Sequence, residues 1–351
     1  MTTAPLEVGS FGWLRGRAFD SLLIVGVAAV ALGSGALVWW RPSWFPIVLV
    51  LDLWLLGYHH VASTFTRLAF DRESFREHRF LVLGLPPVVV AGVVLGALWV
   101  GPWLLATTYL YWQWFHYTRQ SYGIERAYRA RSTGDVVGDP RLTRAALYLL
   151  PLWGILHRSH QAPDAFLGMS LKVLPVPAWL VQVAAAAAIA TLALWAAQAA
   201  RALYRGAPLQ AHTLYFVSHC VVFYAAYIGF ESIDTGWLVI NVWHNAQYIL
   251  FVWHFNNRRF RGGVDPRAWL LSTLSQTRNV VWYVGTVLGL STLAYFGVDR
   301  LVRLLAAEST LPIFLITYQA INFHHYVVDG LIWKLRRKPM RRHLDLDGAP
   351  A

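Results

Sequence analysis

Charge is scarce in this chain. Asp, Glu, Lys and Arg make up 14% of its 351 residues, against about 25% in a soluble domain. With 57% hydrophobic residues and a mean hydropathy of +0.44, that shortage excludes an ordinary water-soluble enzyme. Cysteine is almost missing. The single Cys220 excludes an intrachain disulfide and any cysteine-ligated zinc or iron–sulfur site. The chain also lacks H-E-x-x-H, C-x-x-C-H, G-x-G-x-x-G and the phosphate-binding loop, so the familiar signatures of zinc metalloproteases, covalent haem attachment and nucleotide binding are missing.

What is present is a series of apolar runs. They predict an all-α, polytopic membrane bundle, read as one domain over residues 1–351 with about ten spans. The spans fall near 20–40, 44–68, 80–100, 102–123, 142–157, 177–199, 209–230, 237–256, 280–299 and 311–333. The fifth is short, and 160–176 after it reads as re-entrant or interfacial. Pro86-Pro87 is placed to interrupt the third. The first 18 residues resemble the start of a signal peptide, but the following run has full spanning length and reads as a retained helix. Many of the 18 tryptophans sit near span ends, as interfacial anchors do. Basic residues outnumber acidic ones, 30 to 18, yet they cluster after alternate spans rather than in a nucleic-acid patch. The clusters Arg67–Arg79, Arg119–Arg131, Arg201–Arg205, Arg258–Arg261 and Lys334–Lys338 predict both termini on the cytoplasmic side of a bacterial inner membrane.

Against this apolar background, four spans carry histidine: Tyr58-His59-His60, Phe115-His116-Tyr117, Trp243-His244-Asn245 and Phe323-His324-His325. Ionisable groups at membrane depth are costly and mark function. His59, His116 and His324 fall 13 to 15 residues into their spans, so they lie roughly 20 Å deep at one level. The candidate metal ligands are therefore His59, His60, His116, His244, His324, His325 and Asp329, the last four residues after His325 and on its face. Asp52 shares a face with His59 at a spacing of seven. With Tyr248 it is a candidate catalytic group, as a further ligand or proton relay. Arg119 is a candidate for holding a polar substrate end, beside Trp112 and Phe115. His78, His212 and His343, near loops or ends, read as solvated.

In its many hydrophobic spans and intramembrane histidines the chain resembles the Brp/Blh group of membrane carotene-cleaving dioxygenases. That resemblance implies iron, dioxygen and a polyene substrate, and carries over no ligand position. The eight-histidine boxes of membrane desaturases are absent. The residues alone point to one or two transition-metal ions, iron first and copper or zinc as alternatives. The reading is an oxygenase acting on a membrane lipid or other hydrophobic small molecule, with an electron donor left open. Two other classes fit the same histidines. One is a haem protein with paired axial histidines, the other a proton- or metal-coupled transporter.

Overall fold

The computed structural model describes residues 11–132, 137–305, 312–335 and 337–346, and among them the chain is helical throughout apart from one tiny hairpin. Six helices are long and apolar enough to cross a membrane: α1 (Arg17–Trp40), α2 (Pro42–Leu68), α3 (Phe80–Trp99), α6 (Ala178–Tyr204), α7 (Ala211–Gly229) and α9 (Thr277–Leu304). Four more long helices are α4 (Pro102–Arg131), α5 (Pro140–His160), α8 (Ile233–Arg259) and α10 (Ile313–Ile332). Three of these, α4, α8 and α10, carry most of the polar residues expected at the site. The apolar helices turn Trp39, Trp99, Trp179, Trp282 and Leu293 outward. An apolar belt of that extent is what a lipid environment tolerates and water does not.

Helix α8 is the central post. Twenty of its residues, polar ones included, are buried, as expected of a helix surrounded on all sides. It touches α1, α2, α4 and α7. Close approach depends on missing side chains. A Cβ on Gly236 would stand 1.9 Å from the Ala226 carbonyl oxygen, and one on Gly35 would stand 2.2 Å from Val239. The α7–α8 connection is stapled by Arg158 of α5. Its guanidinium donates to the carbonyls of Ala226 at 3.0 Å, Glu231 at 2.6 Å and Phe230.

Helix α3 runs on through Pro86-Pro87, which open an α-helical stretch directly after a π-helical turn at Phe80–Gly84. A widened turn at that point accommodates the missing N–H groups and the ring clash. The stretch 160–176 holds the antiparallel hairpin Ala165–Phe166 and Met169–Ser170. It is pinned by Leu167 N–H donating to Asp234 at 2.9 Å, and Phe166 is buried against Tyr109 and Trp237. At the opposite end, ion pairs tie the connections together: Arg259 with Asp71 at 2.8 Å, and Asp345 with Arg258 at 2.6 Å and Arg261 at 2.8 Å. His78 and His212 are buried rather than solvated, bonded to the Ser74 carbonyl and to Ser132.

Candidate metal centre

Three helices bring four donors together. His60 from α2, His116 from α4, and His325 and Asp329 from α10 are buried, with one ligand atom each all within 4.8 Å of one another. The His325 Nε2 to Asp329 Oδ2 distance is 3.4 Å, and His116 Nε2 lies 3.9 Å from the same oxygen. Ligands about 2.1 Å from one ion stand roughly 3.0–3.4 Å apart, so small side-chain movements close the set on a metal. The chemistry of the atoms agrees. Nε2 of His60, His116 and His325 are all buried without a hydrogen-bond partner. Buried ring nitrogens are normally satisfied, and three orphans facing one carboxylate oxygen form a site that an ion would complete.

Local geometry explains which histidine enters. Residues 53–58 of α2 form a π-helical turn. Such a turn takes about one residue more than an α turn. Two turns from Asp52 therefore end at His60, not at His59 as an uninterrupted helix would have it. His59 is displaced from the cluster, though buried with Nε2 unpartnered. His324 is likewise outside. It points to the other side of α10, where Nε2 meets the Leu81 carbonyl at 2.7 Å and the ring stacks on Phe65. Twin histidines on one helix diverge by about 100°, so each pair sends only one ring to the centre. His244 is adjacent. Its ring lies 4.7 Å from His60 and 4.8 Å from His116 between centroids, and both nitrogens lack partners.

The carboxylate is held by Tyr248, and behind it by Thr64 and Trp333, two residues that the sequence did not advertise. Tyr248 donates to Asp329 Oδ1 at 2.7 Å. Its oxygen in turn accepts from Trp333 Nε1 at 2.9 Å and lies 2.7 Å from Thr64, whose hydroxyl is 3.0 Å from His325 Nδ1. Since the Tyr248 proton goes to Asp329, the Thr64 proton goes to Tyr248. His325 Nδ1–H is then the donor to Thr64. That order leaves the His325 Nε2 lone pair facing the centre and Asp329 Oδ2 free, which is the outer-shell arrangement metal sites use. Thr64 is one turn beyond His60, the only clue that sequence offered. Tyr248 thus supports Asp329 and lines the cavity beside it.

Asp52 belongs to a separate polar chain. It accepts from Asn241 at 2.6 Å, Asn241 accepts from Tyr117, and Gln113 joins Tyr117 to Trp237. Asn245 lies between Asp52 and His60, so Asp52 reaches the cluster only through an amide and does not face it.

A cavity of about 350 Å³ adjoins the cluster, walled by α4, α8, α10 and the segment after α10. His116, Asp329 and Tyr248 line it, and so do Trp112, Phe115 and Arg119. Phe115 and Leu331 on its wall are exposed, so the cavity reaches the surface between α4 and α10. No protein-family model matches this sequence, and no curated protein or solved structure shows significant similarity to it.

Proposed function

We propose that this chain is a membrane-embedded, metal-dependent oxygenase that admits a lipid-soluble substrate sideways from the bilayer. All ten long helices cross the membrane in this reading, with both termini on the cytoplasmic side. One observation carries it: His116 and Asp329 are at once members of the four-donor cluster and walls of an apolar, laterally open cavity. A substrate there is placed directly against the metal.

His60, His116, His325 and Asp329 would hold the ion. Three imidazoles and a carboxylate suit iron, zinc or copper, and with iron the group supplies dioxygen chemistry. The rest is done by the chain. Trp112, Phe115 and Tyr326 exclude water, which raises the selectivity for apolar substrates. Tyr326 stacks on His116 with centroids 4.5 Å apart and fixes that ring. Tyr248, Thr64 and Trp333 hold Asp329 in one orientation. Donors surrounding one point favour a single ion over haem, which needs a flat slot between its axial ligands.

The test is elemental analysis of protein purified without added metal, with dioxygen uptake measured in the presence of host-membrane lipids. One equivalent of a transition metal is expected, sharply reduced in His116→Ala and His325→Ala. Metal content untouched by both substitutions would rule the reading out.

A further inference from the structure

The cavity runs from His116 and Asp329 at one end to Leu335 and Met340 at the other. Arg67 stands behind that far end. Its guanidinium lies over the Phe255 ring at 4.2 Å and beside Trp333 at 5.6 Å. Among the described residues its one hydrogen bond goes from Nη2 to Met340 Sδ at 3.8 Å, and its buried Nε has no partner. Among the described residues Arg67 makes no ion pair. Five donors facing one weak sulfur acceptor are poorly satisfied, and aromatic faces offset only part of that cost. A planar guanidinium in this state is shaped for a carboxylate, which accepts two parallel N–H bonds. Met340 and Trp333 each lie against both Arg67 and the cavity, and of the two only Met340 accepts a hydrogen bond from the guanidinium. Methionine is flexible, so turning it aside opens the guanidinium to the cavity.

We infer that the cavity takes a long-chain carboxylic acid, its head on Arg67 and its chain running to the His60–His116–His325–Asp329 cluster. This rests on the reading of the cavity as the substrate chamber. Charge complementarity selects the head: the one carboxylate on the cavity wall, Asp329, is committed to the cluster. Arg67 follows His60 by two turns of α2, roughly 10 Å along the helix. The position presented to the cluster is therefore several methylenes from the carboxylate, not adjacent to it.

Binding of radiolabelled palmitate and of hexadecan-1-ol to the purified full-length chain tests this, at pH 8 in the presence of a chelator. A charged hydrogen-bonded head predicts palmitate binding about 10–100-fold tighter than the alcohol. Arg67→Gln should bring palmitate down to the alcohol's affinity, Arg67→Lys should keep part of the preference, and Arg119→Gln should leave it in place. Retained alcohol binding shows that Arg67→Gln is folded; if it is lost, Arg67→Lys decides. No preference in the wild type overturns the inference. So does a preference that survives Arg67→Gln but vanishes in Arg119→Gln, which would put the head at the lateral mouth. Because the assay is metal-free, failure of the oxygenase reading would show in the elemental analysis while leaving this preference intact.

Discussion

Replacing Tyr248 by Phe removes one oxygen and disturbs the hydrogen bonds around Asp329. The Tyr248 hydroxyl is 2.7 Å from Asp329, 2.7 Å from Thr64 and 2.9 Å from Trp333. In the variant the Trp333 N–H loses its 2.9 Å acceptor and Asp329 Oδ1 loses its 2.7 Å donor, leaving the Thr64 hydroxyl, 3.4 Å away, to turn towards it. A buried polar group left unpaired costs about 1–3 kcal/mol, so the metal-free protein should unfold more readily by that amount. The second effect is on the metal. Losing a partner that orients a ligand typically weakens metal affinity about 10–100-fold. The two effects separate in thermal melts followed by tryptophan fluorescence, with and without Zn(II). At a free metal concentration of 1,000 times the wild-type Kd, binding stabilises the fold by about 4.1 kcal/mol, falling to about 1.4–2.7 kcal/mol in Tyr248→Phe. If the variant melts lower but its metal-induced gain equals that of the wild type, Tyr248 supports the fold alone. If neither protein gains from any transition metal, the cluster is not a metal site.

Further outcomes follow from the same geometry. His59→Ala and His324→Ala should retain full metal content, His324→Ala losing about 1 kcal/mol with its bond to Leu81; metal loss from either would place that ring at the centre. Cysteines introduced at Arg129 and Ser232 in a Cys220→Ala background should be labelled from opposite sides of the membrane, and labelling from one side would break the span order. Burial, reinforced by Arg259, Arg67, Arg342 and Arg261, pushes the His343 imidazole down to about 4. An undocked His343 titrates near 6.5, so docking of Lys338–His343 is fully supported above pH 6.5 and weakens as pH falls from 6.5 towards 4. Hydrogen exchange of that segment, corrected for intrinsic rates, should rise across this window and stay flat in His343→Leu. Gly236→Ala should be destabilised by about 1–3 kcal/mol, because its methyl collides with the Ala226 carbonyl; an unshifted melt would contradict the close packing.

Much of the scaffold was legible because apolar runs and helix lengths are local properties. Each predicted stretch contains a long helix, and six of these are apolar enough to cross a membrane. The hairpin at 165–170 was not legible, since two-residue strands leave no periodicity. At the site, the i, i+4 spacing of His325 and Asp329 marked a shared face, and Trp112, Phe115 and Arg119 do line one cavity with His116. The errors arise from helix phase and partners in space. A regular α2 would have aimed His59 with Asp52, but the π-helical turn hands that direction to His60. Nothing in the spacing of Phe323-His324-His325 says which ring turns towards Leu81. Thr64 and Trp333 are ordinary residues until three helices bring them to Tyr248.

The π-helical turn at Leu53–Tyr58 also makes the centre sensitive to helix winding rather than to side-chain identity. It works as a phase shifter between the two halves of α2. Rewinding it as regular α-helix with no change in sequence would rotate everything beyond by about 100° relative to what precedes it. Hydrophobicity and span length would barely change. Yet the register in which His60, Thr64 and Arg67 face inward together would be lost at once, because all three lie downstream of the same extra residue. The donor, the hydroxyl that orients Asp329's neighbours and the cation at the far end of the cavity are thus set by one winding number. Removing one residue as the turn relaxes would instead leave His60 two α turns from Asp52, so the register survives a change of length only when the winding changes with it.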